Sequence, residues 1–368
     1  MIETKEHPTD DPEAVLSWAP IDLTSVLNGT YTVQPPTYML RTDSVALLYP
    51  AKVHGVHGES ESGKSMLMHA VAAQELQSGR DVLFIDFESD QGTVGNRLLM
   101  LGASADNIQR HLNYVRPDCN PFAITEEGQA WRGMLSRRFS LAVIDGVTEA
   151  FSVFGVKSID NDEVTAWGRM VPRQIAERTG AAVVVIDHVT KDTEGRSRFA
   201  IGAQAKMSYL TGASYSVEVI QPLGVGMAGK LAIRIGKDRP GLVRPHGGTW
   251  RKSDRTQEIA VALIDSTDRK TIRYTLVPPR EAIDGKDTTK LDRAMDDVAQ
   301  AIQDHSGAPT FRSINAVVRG GQELIREAIT ALEADGYLRI ENGPNKSKLH
   351  HLLKPYPDTD TPSLQIAV

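Results

Sequence analysis

Apolar residues occur in short runs that alternate with helical stretches, and this alternation predicts an α/β domain. From Val45 the pattern indicates a strand, a glycine-rich loop, a helical segment over residues 64–77 and an apolar strand over residues 82–87. Further apolar runs at residues 141–144 and 181–186 each follow a helical stretch. Runs of this kind are typical of a parallel sheet that is buried on both faces. We therefore expect a mostly parallel central sheet.

Four later apolar runs have no helical stretches between them. They cover residues 214–220, 231–235, 259–264 and 271–276. This spacing is typical of a β-meander rather than of strands joined by crossover helices. We expect these runs to be antiparallel strands added to the edge of the sheet.

The C-terminal part of the chain has a different pattern. Residues 277–290 combine proline, glycine and charge without periodicity, which indicates a domain boundary. Helical patterns follow at about residues 291–304, 313–318 and 322–335, and two strand-like runs at residues 337–341 and 348–353 are joined by a turn-forming Asn-Gly-Pro-Asn. Three helices and a hairpin predict a winged helix-turn-helix. The helical spacing of its apolar residues predicts a core formed by Leu324, Ile325, Ala328, Ile329 and Leu332.

Composition and charge narrow the classes of function. Of the 368 residues, 40% are apolar and 24% are charged, as in a globular protein. The longest apolar run, residues 181–186, is far shorter than the ~20 residues of a membrane helix, so we expect a cytoplasmic protein with no membrane contact. A net charge of -6 argues against non-specific coating of DNA. The single cysteine, Cys119, can form neither an internal disulfide nor a cysteine-based metal site.

A phosphate-binding loop is the most specific motif in the chain. The sequence GESESGKS matches G-x-x-x-x-G-K-S in full and lies between a predicted strand and a predicted helix, which is the context that the motif requires. Backbone N–H groups and the helix N-terminus would bind phosphate oxygens, and the lysine would neutralise them. We therefore predict binding of ATP with Mg²⁺ by Gly58, Glu59, Ser60, Glu61, Ser62, Gly63, Lys64 and Ser65.

Acidic and polar residues follow the predicted parallel strands. Asp145 ends one strand, where a carboxylate beside the phosphate loop can hold Mg²⁺ together with Ser65. Glu88 follows the strand at residues 82–87, where a base could orient the attacking water, and Asp86 and Asp90 compete for this role. A third strand ends at Asp187-His188, and we expect His188 to sense the γ-phosphate.

These elements and their order resemble the RecA-like core of the RepA and DnaB-type hexameric helicases over about residues 45–275. The segments VTEA after Asp145 and DHVTK at residues 187–191 resemble single-core AAA-family ATPases of actinobacterial phages and mobile elements. The resemblance implies an α/β fold, a RecA-like P-loop core followed by the winged helix-turn-helix domain. We divide the chain into an N-terminal tail and docking segment (1–42), an ATPase domain (43–277), a linker (278–289), a winged-helix domain (290–355) and a C-terminal tail (356–368).

The resemblance also implies catalysis between subunits. In the related helicases a K-x-R-x-G element extends to the γ-phosphate of the neighbouring subunit, and Lys237 and Arg239 match it. In the RepA branch the finger arginine follows the sensor histidine, where this chain has Arg198. The sequence leaves both arginines open as the finger. Either arginine implies a homo-oligomer, which we expect to be a hexamer.

Basic residues suggest where nucleic acid would bind. Loops that face the central channel of RecA-like rings would carry Lys157, Lys191, Arg196 and Arg198 toward single-stranded DNA. The predicted recognition helix carries Arg326, and Lys346 and Lys348 lie at the wing. This domain is compatible with contact to duplex DNA or to a replication protein.

Two functions therefore compete. The first is a ring-forming, DNA-dependent ATPase, a RepA-like replicative helicase that translocates on single-stranded DNA. The second is an ATP-switched DNA-binding regulator, helicase loader or recombination mediator without processive unwinding. A small-molecule P-loop kinase fits less well, because the chain has no evident acceptor-binding lid and the K-x-R-x-G element would be unexplained.

Overall fold

The structure is a computed structural model. It describes residues 18–123, 125–188, 203–248, 250–251, 254–279, 288–318, 320–334, 336–344 and 347–354. The chain divides into two compact units, Met1–Gln34 and Pro35–Val368. The described part of the first unit contains the four-residue helix α1, Thr24–Leu27, and exposes the large apolar side chains of Trp18, Ile21 and Leu27.

The second unit contains the other helices and strands. Its strands are β1 Tyr38–Leu40, β2 Ala46–Leu48, β3 Val53–Gly58, β4 Val82–Asp86, β5 Leu112–Val115, β6 Leu141–Asp145, β7 Ala182–His188, β8 Ala213–Gln221, β9 Ala228–Asp238, β10 Trp250–Arg251, β11 Thr256–Asp265, β12 Arg273–Val277, β13 Leu338–Asn342 and β14 Lys348–Leu352.

Its helices are α2 Lys64–Gln77, α3 Gln91–Met100, α4 Ala105–His111, α5 Thr125–Leu135, α6 Val147–Phe154, α7 Asn161–Gly168, α8 Gln174–Thr179, α9 Ala203–Tyr209, α10 Thr288–Gln303, α11 Phe311–Val317 and α12 Gln322–Ala334. A π-helical turn, Arg169–Arg173, joins α7 to α8, and Arg244–His246 form a 3-10 turn. Among the described helices, none has the length and apolar character needed to cross a bilayer.

A large mixed sheet organises the second unit. In the described residues it has ten strands in the order β10-β11-β9-β8-β3-β7-β6-β4-β5, with β12 also paired to β11. The neighbouring strands β8-β3-β7-β6-β4-β5 are parallel to one another. This confirms the prediction of a mostly parallel central sheet. Strands β9 to β12 extend it through antiparallel pairs.

The direction of β8 corrects one detail of the sequence analysis. We expected all four late runs to be antiparallel additions, but β8 pairs in parallel with β3 through residues 214–216 and in antiparallel fashion only with β9. Helix α9 precedes β8 in the chain. A connection with a helix allows two strands to run in the same direction, whereas a short hairpin reverses the chain.

The two faces of the sheet are buried in separate hydrophobic cores, because side chains alternate along each strand. In β4, Val82 and Phe84 pack in the core with α2 and α3, whereas Leu83 and Ile85 pack on the other face with α6 to α8. Burial on both faces explains why the parallel strands are apolar at almost every position. The polar residues that follow these strands lie at their carboxyl ends.

Helices α10 to α12 and the β13–β14 hairpin share a third hydrophobic core. Of the five positions assigned to the core from helical spacing on α12, Ile325, Ala328, Ile329 and Leu332 are buried, and Leu324 packs against the cluster. The order of three helices and a hairpin agrees with the pattern in the sequence. The winged-helix assignment itself stays a prediction.

Candidate functional site

The phosphate-binding motif forms the loop between β3 and α2. Gly63 precedes the helix with φ +83°, in the left-handed region that favours glycine. A Cβ atom at Gly63 would lie 2.4 Å from Leu223 Cδ1, and one at Gly58 would lie 2.6 Å from the carbonyl oxygen of Val217. Gly63 is therefore favoured by its backbone conformation, and Gly58 is required by its close approach to the backbone of Val217.

Lys64 holds a positive charge inside this loop. The side chain is buried, and Nζ donates hydrogen bonds to the carbonyl oxygens of Gly58 at 3.1 Å and Glu59 at 2.6 Å. Burial lowers the pKa of the Lys64 ammonium, and the negative charges of Glu88 and Asp145 oppose this shift. A phosphate group in the loop would offer the ammonium stronger, charged acceptors than these carbonyls.

Ser65 and Asp145 come together beside the loop, and their role in holding magnesium stays a prediction. Asp145 is 2% exposed at the end of β6, and it accepts a hydrogen bond from the Ser65 side chain. Burial raises the pKa of Asp145 to about 6, and the nearby charge of Glu88 adds to the shift. Asp145 Oδ1 has no hydrogen-bond partner among the described residues. A buried carboxylate with a free oxygen is suited to a cation.

The donor set, one carboxylate and one hydroxyl, fits Mg²⁺. Mg²⁺ is usually held by one or two protein oxygens, with water and substrate phosphates completing the octahedron. Ser65 and Asp145 would supply those protein oxygens, Asp145 either directly or through water.

The structure distinguishes the three acids that compete for the role of base. Asp86 is fully buried, and its carboxylate accepts hydrogen bonds from the backbone of Glu88 and Ser89 and from the Tyr114 hydroxyl at 2.8 Å. Asp90 caps α3 by accepting from two backbone N–H groups of that helix. Glu88 is exposed and lines the cavity beside the loop. Asp86 and Asp90 therefore shape the turn that presents Glu88.

His188 lies between the loop lysine and Glu88. Strand β7 is parallel to β3, and the register places His188 opposite Gly58. The imidazole Nδ1 lies 3.4 Å from Lys64 Nζ, and Nε2 lies 3.5 Å from Glu88 Oε1. One side chain thus contacts both the group expected to bind phosphate and the group expected to orient water.

A cavity of about 780 Å³ contains these groups. Its lining includes residues 61–65 with Glu88, Asp145 and His188. Its lining also includes the apolar side chains of Met100, Leu223, Val225, Met227, Ile264 and Ile272. These residues come from α3, the β8–β9 loop and the segment from β11 to β12. Sequence reasoning missed them, because ordinary apolar residues on distant segments give no local signal.

The two residues of the K-x-R-x-G element differ in their surroundings. Lys237 Nζ donates to the carbonyl oxygens of Met207 and of Leu210, the latter at 3.0 Å. Burial lowers the pKa of Lys237 to about 8, and the nearby charge of Arg239 adds to the shift. Arg239 is exposed. Neither side chain lines the cavity of its own chain, so their role in catalysis between subunits stays a prediction.

The predicted nucleic-acid residues are only partly covered by the structure. Lys157 and Lys348 are exposed, and the exposed Arg326 stacks its guanidinium 4.0 Å from the ring centroid of Phe311. The remaining predictions, including the alternative finger, lie outside the described residues: Lys191, Arg196, Arg198 and Lys346.

The fold and the site geometry are those of a P-loop ATPase core. The chain has a P-loop, an acid at the end of a nearby parallel strand and a mostly parallel sheet. Residues 42–194 match the family model described as an AAA domain, AAA_25. The match extends from the β1–β2 region to just beyond β7 and includes Lys64, Glu88, Asp145 and His188. No curated protein matches the chain.

Proposed function

We propose that the protein is a ring-forming, DNA-dependent ATPase, a RepA-like replicative helicase that moves along single-stranded DNA. The proposal of ATP hydrolysis is supported by one observation: five polar residues line the same cavity, namely Lys64, Ser65, Glu88, Asp145 and His188. The AAA-domain match covers the same residues and supports a P-loop ATPase. Translocation and ring formation rest on the resemblance to the hexameric helicases.

The geometry suggests a role for each residue in hydrolysis. Lys64 would leave the loop carbonyls for the β and γ phosphate oxygens, because a charged acceptor forms the stronger hydrogen bond. Glu88, whose carboxylate is exposed to the cavity, would accept a proton from the attacking water. Bound Mg²⁺ supplies positive charge that neutralises the phosphates. His188 contacts both Lys64 and Glu88 and would connect the phosphate to the base.

In the proposed ring, Arg239 would act on the nucleotide bound by the neighbouring subunit. A guanidinium that reaches the γ-phosphate of the next subunit would stabilise charge in the transition state and make hydrolysis depend on assembly. Arg239 is exposed and does not line its own cavity, as this role requires. Lys237 would need to exchange its carbonyl partners, Met207 on α9 and Leu210 just after it, for the phosphate. Arg198 stays the alternative finger.

DNA contacts are proposed at two places. In the ring, exposed Lys157 would face the channel and bind phosphates of the single strand. In the C-terminal domain, the exposed Arg326 and Lys348 would contact duplex DNA or a replication protein. The stacking of Arg326 on Phe311 holds its guanidinium at the surface of α12.

The test is steady-state ATP hydrolysis with and without single-stranded DNA, with particle mass followed by light scattering. We expect DNA to stimulate hydrolysis in a nucleotide-dependent oligomer. Lys64→Ala should abolish hydrolysis, and Arg239→Ala should abolish it while leaving nucleotide binding intact. Lys52→Ala, which removes an exposed lysine close to β3, is the matched control. An ATP hydrolysis rate that is the same with and without single-stranded DNA would refute the helicase function and favour the ATP-switched regulator. Binding of duplex DNA would then be measured.

A further inference from the structure

A buried ion pair connects helix α9 to the strand that carries His188. Lys206 Nζ lies 2.6 Å from Asp187 Oδ2, and both side chains are almost fully buried. The other carboxylate oxygen of Asp187 accepts a hydrogen bond from the backbone N–H of His188 at 2.9 Å. Lys206 also lies over the ring of Phe151 on α6, 5.1 Å from its centroid. The end of β7 is thus tied to α9 through a single carboxylate.

Two further cations bind the C-terminal end of α9. Arg173 donates from Nε to the carbonyl oxygen of Tyr209 at 3.0 Å and from Nη2 to that of Ser208 at 3.1 Å. Lys237 donates to two other carbonyls at the same helix end. Cations at this position satisfy carbonyls that the helix leaves unbonded. Arg239 is close enough that its charge contributes to lowering the pKa of both Arg173 and Lys237.

These contacts form one continuous path. It begins at Lys237 of the K-x-R-x-G element, passes through the carbonyl of Met207 on α9 to Lys206 and Asp187, and reaches the backbone of His188. His188 in turn contacts Lys64 and Glu88. An ion pair buried this deeply contributes little net stability relative to apolar residues of similar size. Fixing the position of the strand end is therefore a better explanation for it than stability.

We propose that Lys206 is a positioning residue for ATP hydrolysis, which acts through Asp187 to hold His188 against Lys64 and Glu88. Helix α9 then transmits a displacement of the cationic group formed by Arg173, Lys237 and Arg239 to the hydrolytic site of the same chain. This inference rests on the ATP hydrolysis of the proposed function but does not require DNA or a ring.

A double-mutant cycle tests the proposal, with the full chain and basal hydrolysis without DNA. We expect Lys206→Met to lower kcat by about 10-fold or more, the scale of effect of a small displacement in an active site, and to change KM by less than about 2-fold. In the His188→Ala background the same substitution should have no further effect, because its action requires the imidazole. Lys206→Arg should recover part of kcat, and Lys52→Met is the matched control.

Three results would overturn the proposal. Additive losses in Lys206→Met and His188→Ala would show that Lys206 acts independently of His188. A loss of nucleotide-analogue binding in parallel with the loss of kcat, measured at a temperature where the variant is folded, would show a purely structural role. If Lys206→Met does not fold, Arg173→Gln takes its place in the double-mutant cycle. Additive losses of kcat in Arg173→Gln and His188→Ala would then overturn the proposal.

A second measurement separates this proposal from the proposed function. The imidazole ¹⁵N resonances of His188, assigned by their loss in His188→Ala, report its surroundings without turnover. We expect Lys206→Met, or Arg173→Gln in its place, to shift them, and unchanged resonances would overturn the proposal. A wild-type chain that hydrolyses no ATP would refute the proposed function, while the resonance shift would still decide whether Lys206 positions His188.

Discussion

Replacing Asp145 by asparagine should stabilise the folded protein at neutral pH while removing its magnesium-dependent activity. The carboxylate is 2% exposed, and its pKa rises from 3.8 to about 6, mainly because burial disfavours the charged form. This rise corresponds to a cost of about 3 kcal/mol for the ionised form in the folded protein. Asparagine has a similar size, carries no charge and can still accept a hydrogen bond from Ser65.

The sign of the pH dependence follows from the direction of the shift. A carboxyl group whose pKa is higher in the folded state than in the unfolded state binds protons more tightly when folded. Its contribution to stability is fully present below about pH 4 and is lost as the pH rises through about 6. The advantage of Asp145→Asn should therefore be near zero at pH 4 and reach about 1–3 kcal/mol above pH 7.

The assay is thermal or urea unfolding of both proteins at pH 4.5 and pH 7.5, without nucleotide or metal. A gain of this size corresponds to a rise in melting temperature of several degrees. MgATP should then stabilise the wild-type chain and have much less effect on Asp145→Asn. A variant that is less stable than wild type at pH 7.5, or a difference that does not shrink at pH 4.5, would refute this account of Asp145.

Three further changes test the site. Glu88→Gln should lower kcat by about 10²–10⁴-fold, the range for loss of a general base, with nucleotide binding retained in a fluorescent-analogue titration, whereas Asp90→Asn should retain most activity. Gly63→Ala should weaken ATP binding and lower stability by roughly 1–2 kcal/mol, because the residue has a positive φ. Unchanged binding and melting would contradict this. Tyr114→Phe should cost about 1 kcal/mol in urea unfolding, since Asp86 loses one hydrogen bond, and no change would show that the bond contributes nothing.

The features that the sequence could determine are those carried by contiguous residues. The loop at residues 58–65 requires glycines where the backbone bends and a lysine and a serine where the helix begins, so a short motif specifies it. The parallel strands are buried on both faces, and their apolar runs are therefore visible without any knowledge of their neighbours. For the same reason the sequence places Asp145, the last residue of β6, at the carboxyl edge of the sheet.

Tertiary structure decided the features that depend on distant partners. Glu88 stands apart from Asp86 only because Tyr114 and two backbone N–H groups occupy the carboxylate of Asp86. The apolar residues that line the cavity come from three segments with no shared motif. Lys206 is an ordinary helical lysine in sequence, and only the fold places it 2.6 Å from Asp187. A local sequence pattern reflects the backbone conformation and burial of adjacent residues. Long-range contacts form only when folding brings distant residues together, and no local pattern connects those residues.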